Sequence, residues 1–398
     1  MPAADDPGID AALAADPTDG ADHRFMRRAL RLARRGWGQT APNPLVGAVL
    51  VAGGEVVGEG WHRRHGGPHA EVEALRQAGA RARGATAYVT LEPCAHWGKT
   101  PPCADALLAA GIARVVYAVA DPSPVAGGGA ARLQGAGIPV RRGVGEAGAR
   151  ELNAPFLHAL ASERPWVTLK LATSLDGAIA DHTRGPGWLT GPRARRRVHM
   201  LRAGADAVAV GIGTALADDP ALTVRGVRAP RVPPLRVVFD RTLRLPPSSQ
   251  LARTAGDVPV LLVCAPDAPD APDHRARALV RAGVRLVPAV DLPAALRRLR
   301  ADHGVRHLFV EGGARLAGAF WAHDLVDRLV IFQAPLVLGG RAVHPFEGWP
   351  GVRVADAPRL PVVSRRVLDD DLVTVLAVHP APGADAADGP PSAPPPLS

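Results

Sequence analysis

The chain has 398 residues, enough for two ordinary domains, and 47% of them are apolar, enough to build real cores. No apolar run is long enough to span a bilayer as a helix, and no basic stretch followed by an apolar one marks a secretory leader, so neither a membrane partner nor export is expected. The formal charge of +9 is spread along the sequence, and aromatic residues, the stacking platforms of single-strand binders, make up only 4%, so no nucleic-acid partner is expected either.

Residues 1–21 and about 381–398 have the composition of disordered tails. From 22 to 148 helical and strand patterns alternate. FMRRALRLARRG reads as a helix, LVGAVLV as a strand, HAEVEALRQAG as a helix and TAYVTL as a short buried strand. ADALLAAG follows as a helix after Pro101-Pro102, ARVVYAVA as a strand, and a further helix precedes IPVRRGV. This is an α/β layered unit. Residues 149–164 (ARELNAPFLHALASER) read as a connecting helix.

A second α/β unit runs over 165–380. It opens with WVTLKLATSLDGAIA, a strand with a turn at Asp176-Gly177, and continues with ARRRVHMLRAGADAVAVGIGTALADDPALTVR as helix, strand and loop. Later strands are LRVVFD, VPVLLVC, VRLVPA, HLFV, DRLVIFQAPLVLG and LVTVLAV. Cys264, inside VPVLLVC, is most simply a small core residue. Three cysteines make no disulfide framework, and a reducing cytoplasm is the expected compartment. Between HLFV and the helical ARLAGAFWA, Glu311-Gly312-Gly313 would let a phosphate approach backbone N–H groups at a helix start, although such a pair of glycines is also an ordinary tight turn. Gly127-Gly128-Gly129 and Gly211-Ile212-Gly213 do not complete the dinucleotide fingerprint.

The chemistry concentrates in His69-Ala70-Glu71 and in EPCAHWGKTPPC (92–103). One histidine and two cysteines, His69, Cys94 and Cys103, are zinc ligands that leave a fourth position open for water. Glu71, close to the metal but not bound to it, can move protons between water, ring and departing amine. Cys103 falls in the first turn of a helix, where the dipole favours thiolate. The competing reading is a structural zinc site, for which His62, His65 or His96 could supply a fourth ligand, or no metal at all. Among 47 basic residues only Lys99 and Lys170 are lysine, and both lie in the motif regions. A chain that uses arginine almost everywhere keeps lysine where a compact donor is needed.

GQTAPNPLVGAVLV (38–51), GEGWHRRHGGPHAEVEAL (58–75) and VTLEPCAHWGKTPPC (89–103) resemble the deaminase half of the bifunctional riboflavin-biosynthesis deaminase-reductase. The long cysteine spacing, unlike the C-x-x-C pair of nucleic-acid deaminases, is part of the likeness. TLKLATSLDGAIA, WLTG (188–191), LRAGADAVAVGIGTALADDPALTVR and VEGG resemble its reductase half. The resemblance implies a three-layer cytidine-deaminase-like domain followed by a dihydrofolate-reductase-like domain, with Zn2+ and NADPH as cofactors. It further implies deamination of 2,5-diamino-6-(5-phosphoribosylamino)pyrimidin-4-one at C2, then reduction of the ribosyl group to ribityl. Asn43, His62 and Lys99 would contact this small phosphoribosyl pyrimidine in the first domain. Lys170, Arg202, Arg225 and Glu311 would contact it in the second. Ala172, Trp188, Thr214 and Asp218 would line the NADPH site, with Gly313, Ala314, Arg315, Leu316, Ala317, Gly318 and Ala319 around its phosphates. This chain departs from the family where Ser123 stands for the usual asparagine of DPNP, and where Pro186 and Arg241 replace a common serine. A homo-oligomer is expected. A nucleic-acid-editing deaminase is the competing class; the scarcity of aromatic platforms and the TPPC loop speak against it.

Overall fold

The computed structural model describes residues 20–98, 101–123, 125–183, 185, 187–268 and 274–383. The tails expected at both ends therefore lie almost wholly outside the described residues, although Ala21 already opens a helix. The chain divides between Ala161 and Ser162 into two compact units.

The first unit carries a five-stranded sheet in the order β2-β1-β3-β4-β5. Its strands are β1 (Gly47–Ala52), β2 (Glu55–Trp61), β3 (Thr86–Leu91), β4 (Arg114–Val119) and β5 (Val140–Arg142). β1 pairs antiparallel with β2 and β3, while β3, β4 and β5 run parallel. Alternation along β1 sends Val49 and Val51 to one face and Ala48 and Leu50 to the other, as a pleated strand must. On the first face packs α1 (Ala21–Ala33), whose Phe25, Met26, Ala29, Leu30 and Ala33 form a single buried helical stripe. On the second pack α2 (Ala70–Ala78) and α3 (Cys103–Ala109) through Ala70, Ala74, Ala104 and Leu107. The result is three layers, helix, sheet and helix.

β2 is absent from the sequence reading because EVVGEGW looks like a glycine-rich turn. Its glycines have a packing reason: a Cβ on Gly60 would sit 2.1 Å from the Ala70 carbonyl oxygen. Only glycine lets α2, which carries Glu71, come that close to the sheet. α4 (Gly129–Gly135) follows β4. In place of the single connecting helix expected over 149–164, the first unit ends in α5 (Glu146–Leu152) and α6 (Ala154–Ala161), joined at Asn153.

The second unit is a nine-stranded sheet in the order β10-β9-β8-β7-β11-β6-β12-β14-β13. These strands are β6 (Trp166–Thr173), β7 (Ala207–Gly211), β8 (Leu235–Phe239), β9 (Val260–Cys264), β10 (Arg285–Pro288), β11 (His307–Val310), β12 (Arg328–Gln333), β13 (Val362–Leu368) and β14 (Asp371–Ala377). β10 through β12 are mutually parallel, and β14 and β13 extend the sheet antiparallel. Both faces are buried, with Val208 and Val238 in one core cluster and Ala209 and Val237 in the other. That is why the central strands read as unbroken apolar runs. Cys264 is buried in one of these clusters, as expected. The strand expected over DRLVIFQAPLVLG stops at Gln333, and β13 goes unrecognised in the sequence because VVSRRVL carries two arginines on a half-exposed edge. Three helices of this unit position the residues discussed below: α7 (Pro192–Ala203), α8 (Ile212–Asp218) and, after α9 (Gln250–Arg253), α10 (Arg275–Arg281) and α11 (Leu292–His303), α12 (Ala314–Ala322). No helix of the described residues is long and apolar enough to cross a membrane.

Candidate active sites

His69 stands at the N-cap of α2, Cys94 follows β3, and Cys103 opens α3. Their ligand atoms lie within 4.8 Å of one another. His69 Nδ1 is 3.2 Å from Cys103 Sγ and 3.6 Å from Cys94 Sγ. Tetrahedral zinc, with Zn–N and Zn–S bonds of about 2.0 and 2.3 Å, requires N···S edges of about 3.5 Å, so the donor set fits that metal in type and spacing. Cys94 and Cys103 are buried, and the thiols differ. The hydrogen bond from Cys103 draws the Cys94 thiol down to about 4, with a further contribution from His69, while Cys103 is pushed up. The Cys103 N–H at the head of α3 donates to Cys94 Sγ at 3.3 Å. Cys103 thus lies in the first helical turn, as expected, and the same helix start also donates a backbone N–H to Cys94.

Glu71, in the first turn of α2, is buried, and its Oε2 has no hydrogen-bond partner among the described residues. Burial raises its carboxyl above the ordinary range, against the opposing charge of His69. A carboxyl so placed is suited to accepting and returning a proton. His62 is buried, and desolvation lowers its pKa below the ordinary histidine value. Its Nδ1 faces the Pro68 carbonyl at 3.1 Å and its Nε2 faces Asn43 Nδ2 at 3.2 Å. Both ring nitrogens are therefore engaged, and His62 does not serve as a fourth ligand. Among the described residues the cluster contains three donors only. This is the pattern of an open catalytic position, not of a closed structural site.

His69, Glu71, Cys94, Asn43 and His62 all line one cavity of about 350 Å³. Lys99, expected beside them, lies outside the described residues, as does Pro186 of the second unit. Asp121 and Ser123 also line the cavity. Asp121 Oδ1 accepts from Ser123 N at 2.9 Å, and Ser123 Oγ accepts from Ala126 N at 3.3 Å, so the serine closes the turn locally. Glu92 has no assigned role in the sequence reading. Its Oε1 accepts from Gly128 and Ala130 N–H at 3.1 and 3.0 Å and its Oε2 from Asp121 N–H at 3.2 Å, which braces the far wall. Gly129 must be glycine there, because a Cβ would lie 1.7 Å from the Pro93 carbonyl oxygen.

In the second unit Lys170, on β6, shares an electrostatic cluster with Glu311, Arg202 and Asp218. Arg202 Nη2 donates to Glu311 Oε2 at 3.0 Å, its Nε also donates to Glu311, and its Nη1 donates to the Thr223 carbonyl at 2.9 Å. Burial would raise the Glu311 carboxyl, but Arg202, then Lys170 and His199, hold it below its usual value. Arg202 is thus committed mainly to Glu311. Arg225 is exposed, with its N–H donating to His199 Nδ1 at 3.2 Å. Lys170 is depressed by burial, and its Nζ meets the Phe332 ring at 5.9 Å. Ala172 lies two residues along the strand, on the same face of the sheet.

Thr214 of α8 abuts the N-cap of α12: a Cβ on Gly313 would lie 3.0 Å from Thr214 Oγ1. Ala314, Arg315 and Leu316 form the first turn, whose N–H groups have no intrahelical partner. The later residues do not share that property. Ala317 N–H donates to the Gly313 carbonyl at 3.0 Å, Ala317 is in the core, and Gly318 packs against the backbone of Phe346 and Glu347. Of the expected phosphate-binding segment 313–319, the N–H groups left open to an anion are therefore those of the first turn. Arg315 is paired with Glu347 at 3.0 Å. Trp188 is exposed, with the Arg195 guanidinium 5.0 Å from its ring centre. Arg241 donates to the Val290 carbonyl at 3.2 Å.

A zinc-type donor cluster in a three-layer α/β unit, joined to a second unit with its own charged cluster, defines a metal-dependent deaminase fused to a second α/β domain. Residues 20–119 match the cytidine and deoxycytidylate deaminase zinc-binding region, and residues 165–374 match the RibD C-terminal domain. The chain is 43% identical to the riboflavin biosynthesis protein RibD of Aquifex aeolicus, over 80% of this chain and 88% of that protein. It is 42% identical to that of Escherichia coli, over 85% and 94%. RibD of Acinetobacter baumannii superposes with a TM-score of 0.77 at 39% identity, covering 90% of this chain and 98% of that one. The deaminase/reductase of Thermotoga maritima superposes at 0.78 with 34% identity and the same coverage. The chain belongs to the RibD family of bifunctional riboflavin-biosynthesis deaminase-reductases.

Proposed function

We propose that the first unit deaminates 2,5-diamino-6-(5-phosphoribosylamino)pyrimidin-4-one and that the second reduces the ribosyl group of the product with NADPH. The observation that carries the first step is the three-donor cluster with the buried Glu71 carboxyl beside it in one cavity. His69, Cys94 and Cys103 would hold zinc, which would supply an activated water. Glu71 Oε2 would accept a proton from the attacking water and pass it to the ring nitrogen, then carry the proton of the hydroxyl added at C2 to the amine, which leaves as ammonia. Asn43, its amide beside His62, meets the pyrimidine, and His62 and Lys99 contact the same substrate.

For reduction, Lys170 is the cation offered to the substrate, with Glu311 held ionised by Arg202, and Arg225 at the exposed margin. NADPH supplies the hydride. The first turn of α12 with Gly313 and Thr214 receives its phosphates, and Ala172, Trp188 and Asp218 border it. The free, buried cysteines suit a reducing cytoplasm, and the assembly is proposed to be a homo-oligomer. The test is a coupled assay that follows ammonia release and the loss of NADPH absorbance. Zinc chelation should abolish the first signal and spare the second when the deaminated intermediate is supplied. Loss of both signals in a protein that stays folded would overturn the assignment of the two steps to two sites.

A further inference from the structure

The deaminase cavity extends beyond the matched zinc-binding region, which ends at residue 119. Two side chains of α6, Phe156 and Leu160, line it. They stand four residues apart and so share one face of the helix, while Leu157 and Ala159, which flank that face on either side, are buried. Leu160 lies at the cavity's margin, 45% exposed. At the joint between α5 and α6 sits Asn153, only 4% exposed. Its Oδ1 accepts from Leu45 N–H at 2.8 Å, and its Nδ2 donates to the Leu45 carbonyl at 2.9 Å. This reciprocal pair clamps the loop two residues after Asn43, whose amide faces both the cavity and His62. Its own backbone carbonyl accepts from Leu157 N–H at 2.9 Å and so starts α6.

We propose that Asn153 is a positioning residue for deamination and that Phe156 is a specificity residue, so that α6 completes the deaminase site. Asn153 fixes where Asn43 presents its amide. Phe156 supplies the apolar wall against which a flat heteroaromatic ring packs while Asn43 reads its edge. Neither residue takes part in proton transfer, which stays with Glu71. The inference rests on the deaminase reading of the cavity.

The KM-against-kcat split of ammonia release tests it. A variant that merely unfolds part of the population lowers apparent kcat and leaves KM unchanged. Asn153→Ala should instead raise KM about tenfold, the loss of about one ordinary hydrogen bond from a displaced Asn43 to the ring edge, with kcat within about threefold of the parent. Phe156→Ala should do the same, and Phe156→Leu, which keeps bulk, should recover part of the loss. Zinc content and reduction of the deaminated intermediate should be unchanged in all three. Unchanged KM in Asn153→Ala and Phe156→Ala overturns the proposal, as does a fall confined to kcat. If Asn153→Ala loses zinc, Asn153→Asp, which keeps the acceptor toward Leu45 N–H, takes its place under the same criterion. Failure of the unmodified enzyme to release ammonia would instead remove the deaminase reading itself.

Discussion

Replacing Lys170 by alanine should move activity and stability in opposite directions. Lys170 stands in an apolar strand, and burial lowers its pKa even with Glu311 nearby. The Phe332 ring, 5.9 Å from Nζ, is near the limit of a useful cation–π contact. Glu311, the natural anionic partner, is taken by Arg202 on both oxygens. Little in the fold therefore needs this charge, and Lys170→Ala should unfold at the same or a higher temperature than the parent. A charge-assisted hydrogen bond to substrate is worth about 1.5–3 kcal/mol, so NADPH oxidation with the deaminated intermediate should fall by about one to two orders of magnitude. Ammonia release should be unaffected. The stability difference carries a pH signature. A lysine whose pKa is lowered on folding binds fewer protons in the folded than in the unfolded state, so the parent gains stability as pH rises through the window between the lowered value and the ordinary one of 10.5. The advantage of Lys170→Ala should shrink across that window. Lys170→Arg should also reduce poorly, because a broad guanidinium does not fit a point contact. Parent-like NADPH oxidation in both variants, or a marked loss of stability in Lys170→Ala, would refute the reasoning.

Glu71→Gln should keep zinc and lose ammonia release by about a hundredfold or more, since the amide preserves shape but carries no proton; near-normal release would assign proton transfer to another group. Cys103→Ala should lose both zinc and deamination in metal analysis and assay, because only two donors remain. Full zinc with full activity would dissolve the proposed ligand set. Asp22→Asn should destabilise the first unit by about 1–2 kcal/mol in urea unfolding, a figure discounted for solvent around the two arginines. Asp22 accepts from Arg114 at 2.8 and 3.0 Å, from Arg141 at 2.8 Å and from Tyr88 at 2.7 Å. The Arg114 hydrogen bonds hold its carboxyl below the ordinary value of 3.8. The stabilisation is therefore fully present above that value and fades as pH falls through the lowered one, where parent and variant should converge.

The zinc donors were legible in the chain because the signal is local. His69 and Glu71 are two residues apart at a helix start, and Cys94 and Cys103 bracket a short loop, so residue type and spacing alone constrain the chemistry. The parallel strands of the second unit were legible for a similar reason: burial on both faces leaves an unbroken apolar run. β2 and β13 were not, because glycines that admit a helix and arginines on an open edge both look like loop. Partnership was the larger gap. Arg202 finds Glu311 across 109 positions, and Asn153 finds Leu45 across 108. Which helix turn can receive an anion and which side chains of α6 reach the deaminase cavity both depend on sheet order and on how closely helices approach the strands. Those are sums over many weak, distant contacts, and no window of sequence contains both ends of them.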